Sequence, residues 1–325
     1  MYSKLVSIII PVFNASLFIE ECLTSVINQT HQNIEIIIVN DGSTDDSFEV
    51  ISNFIEGDTR FLLINQENKG CSAAKNKGLE LVKGDYVQYL DADDILSKDK
   101  IEQQVYALEN QLNSIAVCKT AIISDKIDNV FGEINTEMIK KQGSGLEFLL
   151  RLLGSEGVSG MVQPNAYLIP KVIAEKIGSW NEDISPSPDE DGEYFGRALI
   201  QAEYVIFTEG INYYRKLETN SSLSQVYSHQ RVFNLIKTVD EKFKHIFEIE
   251  KSERTQKLFQ LNVSQVAYQF GLDYPELLGF SKDLLNQNKY KKLKVSYPWR
   301  FRLIATLIGF ESVIRIKKQI RSKSN

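Results

Sequence analysis

The chain has 325 residues, 43% hydrophobic and 25% charged, with a formal net charge of -6; this balance suits a globular protein with one large domain plus a smaller one and excludes a disordered chain. Cys22, Cys71 and Cys118 stand far apart without CxxC spacing, which supports neither a disulfide framework nor a zinc site and fits a reducing cytoplasm. No apolar run approaches the roughly 20 residues that a membrane-spanning helix needs, and "MYSKLVSIIIPVFN" reads as a strand rather than a signal peptide because its short apolar run ends at Pro11.

In chain order, "LVSIIIPV" predicts a buried strand, and "SLFIEECLTSVINQ" a helix with Phe18, Ile19, Cys22, Leu23, Val26 and Ile27 at helical spacing. "IEIIIVN" is a second strand, "DGSTDDSFEVISNF" a turn and helix, and "RFLLINQ" a third strand. "NKGCSAAKNKGLELVKG" supplies a helix that tolerates Gly78, and "DYVQYL" a fourth strand. Strand alternating with helix predicts an α/β protein with a mostly parallel sheet flanked by helices on both faces, with ligands at the carboxyl ends of the strands. Beyond Ser97 the pattern is less regular: a helix at "GLEFLLRLLG", an alternating segment at "MVQPNAYLI", a helix at "PKVIAEKIG" stopped by Gly178, and the acidic "PSPDEDGEYFGRALIQA". The polar "ETNSSLSQ" marks a boundary, so we expect one domain over 1–224, divided into 1–100 and 101–224, and a smaller helical C-terminal region over 225–325. There Val232, Ile236, Val239, Phe243 and Ile246 keep helical spacing, as do Phe259, Val263, Val266 and Phe270.

Three carboxylates, Asp91, Asp93 and Asp94, follow the fourth strand directly. Asp91-Ala92-Asp93 can turn its oxygens toward one hard divalent cation such as magnesium or manganese, completed by substrate phosphates. The alternative is a solvated acidic turn that caps the helix "ILSKDKIEQQVYALEN". Asp41 also ends a buried strand, where it can accept from a nucleobase or ribose, or simply shape the turn that Gly42 permits. Phe13 on the same rim can stack on a base, although a core role is commoner for an isolated Phe. Neither GxGxxG nor GxxxxGK[ST] is present.

The ordered motifs "VSIIIPVFNASLFIEECLTSVINQT", "IEIIIVNDGSTDDS", "NKGCSAAKNKGL" and "GDYVQYLDADDIL" together resemble the nucleotide-sugar-binding half of glycosyltransferase family 2, inverting enzymes of the GT-A fold, over about the first 100 residues. The resemblance implies that Pro11, Phe13, Asn14 and Asp41 hold the nucleoside, and that Asp91 and Asp93 serve as a DxD motif on ribose and metal, with Asp93 the ligand of Mn2+ or Mg2+. Lys75 stands where the family usually has Arg and keeps the charge for a nucleotide contact without the planar fork. Inverting transfer calls for a positioned carboxylate base. Glu190-Asp191, followed by Tyr194 and Arg197, resembles the family's Glu-Asp pair and makes Asp191 the base, while an acidic first turn that complements a helix dipole is the plainer role of the same residues. Relatives often carry a His shortly after Tyr-Arg; Leu217 stands there, and none of His31, His229 and His245 is assigned to the metal.

Gln163, Asn165, Trp180 and Glu190 are acceptor-side candidates, with core packing an equal explanation for Trp180. The implied activity is transfer of a sugar from a nucleoside-diphosphate sugar to an acceptor hydroxyl on a saccharide or lipid-linked saccharide, in bacterial surface polysaccharide or glycolipid assembly. The rivals are a catalytically idle nucleotide-sugar-binding subunit and a metal-dependent nucleotidyltransferase, which normally begins with a Gly-rich basic loop. From Lys289 to Lys323 the chain carries eleven basic residues against the single acid Glu311. Either this tail lies on an anionic membrane surface, making a cytoplasmic protein peripheral on the inner face, or its apolar residues dock internally; nucleic acid is a poorer partner.

Overall fold

The uninterrupted apolar run Val6–Val12 forms strand β1, buried at all seven positions, as a parallel strand covered on both faces must be. The computed structural model describes residues 4–124, 129–134, 136–216, 228–288 and 312. After β1 come α1 (Ile19–Ile27), β2 (Ile34–Asp41), α2 (Ser47–Phe54), β3 (Phe61–Gln66), α3 (Cys71–Leu79) and β4 (Tyr86–Tyr89). Then follow β5 (Ile95–Leu96), α4 (Lys100–Leu108), β6 (Ser114–Ile123), β7 (Val130–Ile134), α5 (Thr136–Ile139) and α6 (Gly145–Leu152). The chain continues through β8 (Tyr167–Pro170), α7 (Lys171–Ile177), α8 (Glu190–Gln201), β9 (Tyr204–Arg215), α9 (His229–Ile249), α10 (Glu253–Phe270) and α11 (Glu276–Gln287).

Among the described residues the strands form one mixed sheet in the order β3-β2-β1-β4-β8-β6-β9-β5, with β7 added beside β6. β1 pairs in parallel with β2 and β4, and β2 with β3. The register Val12↔Asn40 ends β1 and β2 together, so Phe13 and Asn14 emerge beside Asp41 and Ser43. β8 is antiparallel to both β4 and β6, and β6 is parallel to β9. The α/β class and the strand–helix alternation of the first part are those read from the sequence.

Two elements differ from expectation. Ile95 and Leu96, both 3% exposed, pair with Tyr213 and Asn212 of β9 instead of opening a helix, and α4 begins only at Lys100 with Asp99 at its N-cap. Asp93 and Asp94 therefore do not cap it. In "MVQPNAYLI", Pro164 starts a 3-10 turn through Ala166, which leaves a strand of four residues.

Chain contacts define two units, one drawn from Met1–Pro186 and Glu190–Val226 and the other from Ser187–Asp189 and Tyr227–Asn325. In the second, Phe243 of α9 packs on Phe259 of α10 with ring centroids 5.2 Å apart, and Ser252 caps α10 reciprocally with Thr255. Asp189 pairs there with Lys242, and Ser187 with Thr238. The polar boundary with Leu217, and the basic tail apart from Ser312, lie outside the described residues.

Candidate active site

At the carboxyl end of β1, Pro11 lies beyond the pairing with β4, which stops at Ile9, so its missing N–H leaves no gap in that ladder. Phe13 is 46% exposed, a rim aromatic and not a core one. Asn14 adopts φ 50, a left-handed conformation that Asn tolerates. Its N–H donates to Ser43 Oγ at 3.0 Å, and its Oδ1 accepts from the Thr44 N–H at 2.8 Å, which ties the ends of β1 and β2.

Asp41 is 3% exposed and accepts from Gln66 Nε2 at 2.8 Å and from the N–H groups of Lys69 and Gly70 at 2.9 and 2.8 Å. These bonds shape the loop that leads into α3. Gly42, at φ +70, is needed beneath it, since a Cβ there would lie 2.7 Å from the Asn68 nitrogen. Two carboxylate oxygens offer about four acceptor sites, so the loop role leaves Asp41 capacity for one further donor.

The three clustered aspartates have separate tasks. Asp94 is fully buried: one oxygen accepts from the Arg215 N–H at 2.8 Å and the other from Asn165 Nδ2. Asn165 Oδ1 accepts in turn from the Asp91 N–H at 3.0 Å, and Arg215 Nε donates to the Asp93 carbonyl at 2.8 Å. Asp94, Asn165 and Arg215 thus brace the turn from within, while the Asp91 side chain stays 32% exposed. Asn165 therefore sits behind the acidic turn, fully buried, and not on an acceptor surface. Arg215 is a residue that sequence reasoning missed; its signal is an Arg closing an aromatic strand, "YYR", at the ligand rim.

Desolvation, with the neighbouring carboxylates of Asp191, Asp93 and Glu190, pushes Asp91 up to about 7 against the lowering pull of Lys75. Burial likewise raises Asp93, and Arg215 opposes it through space; the Asp93 carboxylate has no ion-pair partner among the described residues. Among those residues no three His, Cys, Asp or Glu side chains gather as a ligand set. A desolvated carboxylate that is not ion-paired, two positions after Asp91, nevertheless fits magnesium or manganese, which take hard oxygen donors and fill the remaining positions with water and phosphate.

Helix α3 brings the rest of the site together. Lys75, 2% exposed, donates to Asp191 Oδ1 at 2.7 Å and lies 4.0 Å from Asp91 Oδ1. Burial works against its charge, but Asp191, Cys71 and Asp91 outweigh it and raise Lys75 well above the usual lysine range. Ser72 Oγ donates to Glu190 Oε2 at 3.1 Å, and Glu190 is raised by burial first and by Asp191 second. Gln163 is half-buried ahead of the 3-10 turn. Trp180 is 2% exposed, stacked on Tyr194 with centroids 4.1 Å apart and crossed by Lys75 Nζ at 4.2 Å. Its packing role prevails because both ring faces are occupied.

The profile of a family described as Glycosyl transferase family 2 matches residues 7–174. An uncharacterised glycosyltransferase of Rickettsia prowazekii is 30% identical over 238 residues, 72% of this chain and 72% of that relative. An uncharacterised glycosyltransferase of Haemophilus influenzae is 46% identical over 114 residues, 34% of this chain and 46% of that relative, so the match spans under half of the relative's length. Among solved structures, residues 1–349 of Staphylococcus aureus TarS in complex with UDP-GlcNAc align with a TM-score of 0.67 at 16% identity, covering 86% of this chain and 81% of that one. The likeness shows a shared fold.

Proposed function

Because the chain belongs to glycosyl transferase family 2, we propose that it transfers a sugar, with inversion, from a nucleoside-diphosphate donor to an acceptor hydroxyl. The observation that carries this reading is the meeting of Asp91, on the turn after β4, and Asp191, at the start of α8, around the single ammonium of Lys75 at 4.0 and 2.7 Å. A donor-side carboxylate and a base have to lie close to one reacting centre, and the proximity of two carboxylates 100 positions apart in the chain supports that reading.

Phe13, Asn14, Pro11 and Asp41 form the nucleoside side, Phe13 by stacking and Asp41 through its remaining acceptor site. Asp91 takes the ribose, and Asp93 would hold Mn2+ or Mg2+, which when bound would neutralise the departing diphosphate. Asp191 accepts the acceptor's hydroxyl proton as that oxygen bonds to the anomeric carbon from the face opposite the diphosphate. The bond from that carbon to the diphosphate oxygen breaks, and nucleoside diphosphate leaves with the electron pair. Glu190 and Gln163 face the acceptor. The co-crystallised UDP-GlcNAc of TarS supports a UDP-sugar as donor. We assign catalysis to 1–224, an accessory region to 225–325, and the acceptor to bacterial surface polysaccharide or lipid-linked saccharide at the cytoplasmic side of a membrane.

The test is release of nucleoside diphosphate from UDP-sugars, with and without acceptor saccharides. A chelator and Asp93→Ala should each abolish release, and manganese should restore only the former. Asp191→Asn should lower transfer by about 10²–10⁴-fold while donor affinity holds. Chelator-insensitive turnover would remove the metal, and a variant at Asp191 that loses donor affinity but keeps turnover would move that residue to the donor side.

A further inference from the structure

Lys75 sits in a pocket whose walls are fixed. Trp180 covers one side of its ammonium at 4.2 Å. The Asn76 side chain holds Trp180 at both backbone groups, donating to its carbonyl at 3.0 Å and accepting from its N–H at 2.7 Å. The Trp180 ring lies at 4° to Tyr194, whose hydroxyl meets that of Tyr89 at 2.9 Å. Toward solvent the ammonium is covered by carboxylates: Asp191, with a side chain 36% exposed, and Asp91, 32% exposed, against 2% for Lys75 itself. A diphosphate approaching from solvent meets those acids before it meets the cation.

The contact to Asp191 runs through one oxygen alone. Lys75 donates to Oδ1, and no described residue bonds Oδ2. An ammonium is a point charge that can engage one carboxylate oxygen and leave the other open. On the reading of Asp191 as base, which this inference requires, the open oxygen is the one that can receive a proton.

We propose that Lys75 is a positioning residue for the base: it anchors Asp191 through Oδ1 on the Trp180–Tyr194 platform and presents Oδ2 to the acceptor hydroxyl, rather than contacting the donor nucleotide. The basic residue expected at the nucleotide thus acts on the acceptor half of the reaction. Its effect passes through Asp191 and disappears when Asp191 can no longer take a proton.

A double-mutant cycle tests this on the full chain. Lys75→Met should lower kcat for transfer by about 30-fold or more, with the KM for donor changed less than about threefold. In an Asp191→Asn background the same substitution should cost less than about threefold further, because the group it positions is already disabled. Lys75→Gln, which keeps an N–H donor on a side chain one bond shorter, should regain part of the rate, and it replaces Met throughout the cycle if Lys75→Met fails to melt cooperatively. Equal losses in both backgrounds, or a rise in donor KM with kcat kept, would overturn the positioning role and return Lys75 to the nucleotide. Normal turnover by Asp191→Asn alone would overturn the base assignment, and the positioning role with it.

Discussion

Asp94 accepts from a backbone N–H of β9 and from Asn165, two partners more than 70 positions away in the chain, so its carboxyl group serves to fold the turn that carries Asp91 and Asp93. Lys100 makes the opposite bargain. It is fully buried and donates to Gln88 Oε1 and, at 3.3 Å, to the Tyr167 carbonyl, both neutral groups. Desolvation lowers it from 10.5 to about 8. Between these values the unfolded chain binds the proton more tightly than the folded one, so stability should rise with pH across that window, by about 3 kcal/mol in all. Urea midpoints measured at a series of pH values should show the rise in the parent and lose it in Lys100→Met. Parallel curves for the two proteins would mean that water reaches the ammonium.

At the scale of elements, α3 is the piece from which Ser72 and Lys75 reach Glu190 and Asp191, and it lies close against the sheet. A Cβ on Gly78 would stand 2.4 Å from Ile9 Cγ2 in fully buried β1. Gly78→Ala should therefore destabilise the protein by about 1–3 kcal/mol, although Ala favours a helix by about 1 kcal/mol over Gly. A urea midpoint equal to or above the parent's would show that β1 yields. The order of β1 to β4 was legible because apolar runs and helical spacing alternate there without interruption, and the acidic residues follow directly from where β4 ends. β5 was not, because two residues carry no period and their partner lies beyond position 210. Burial was equally hidden: the sequence shows that Lys75 is basic and that Asn165 is polar, but not that each is enclosed behind the carboxylates it serves.

On the scale of the whole molecule, the net charge of -6 conceals the basic stretch from Lys289 to Lys323. Basic groups near anionic lipid contribute about 1 kcal/mol each, enough for a reversible hold when several act together. The protein should cosediment with anionic but not neutral vesicles, less so at high salt or after truncation before Tyr297. Equal binding to both vesicle types, or to neither, would assign the tail to internal packing. No helix among the described residues is long and apolar enough to cross a membrane, so such a hold would rest on charge and interfacial contact.

β8 has a mechanical consequence. Tyr167 and Leu168 of β8 pair with β6, Ile169 and Pro170 pair with β4, and Leu168 and Ile169 are fully buried. β8 therefore joins β3-β2-β1-β4 to β6-β9-β5 within one sheet, and these two sets of strands could part only by breaking backbone hydrogen bonds. On the proposed function, excluding water within this unit would fall to side chains and rim loops rather than to a parting of the sheet.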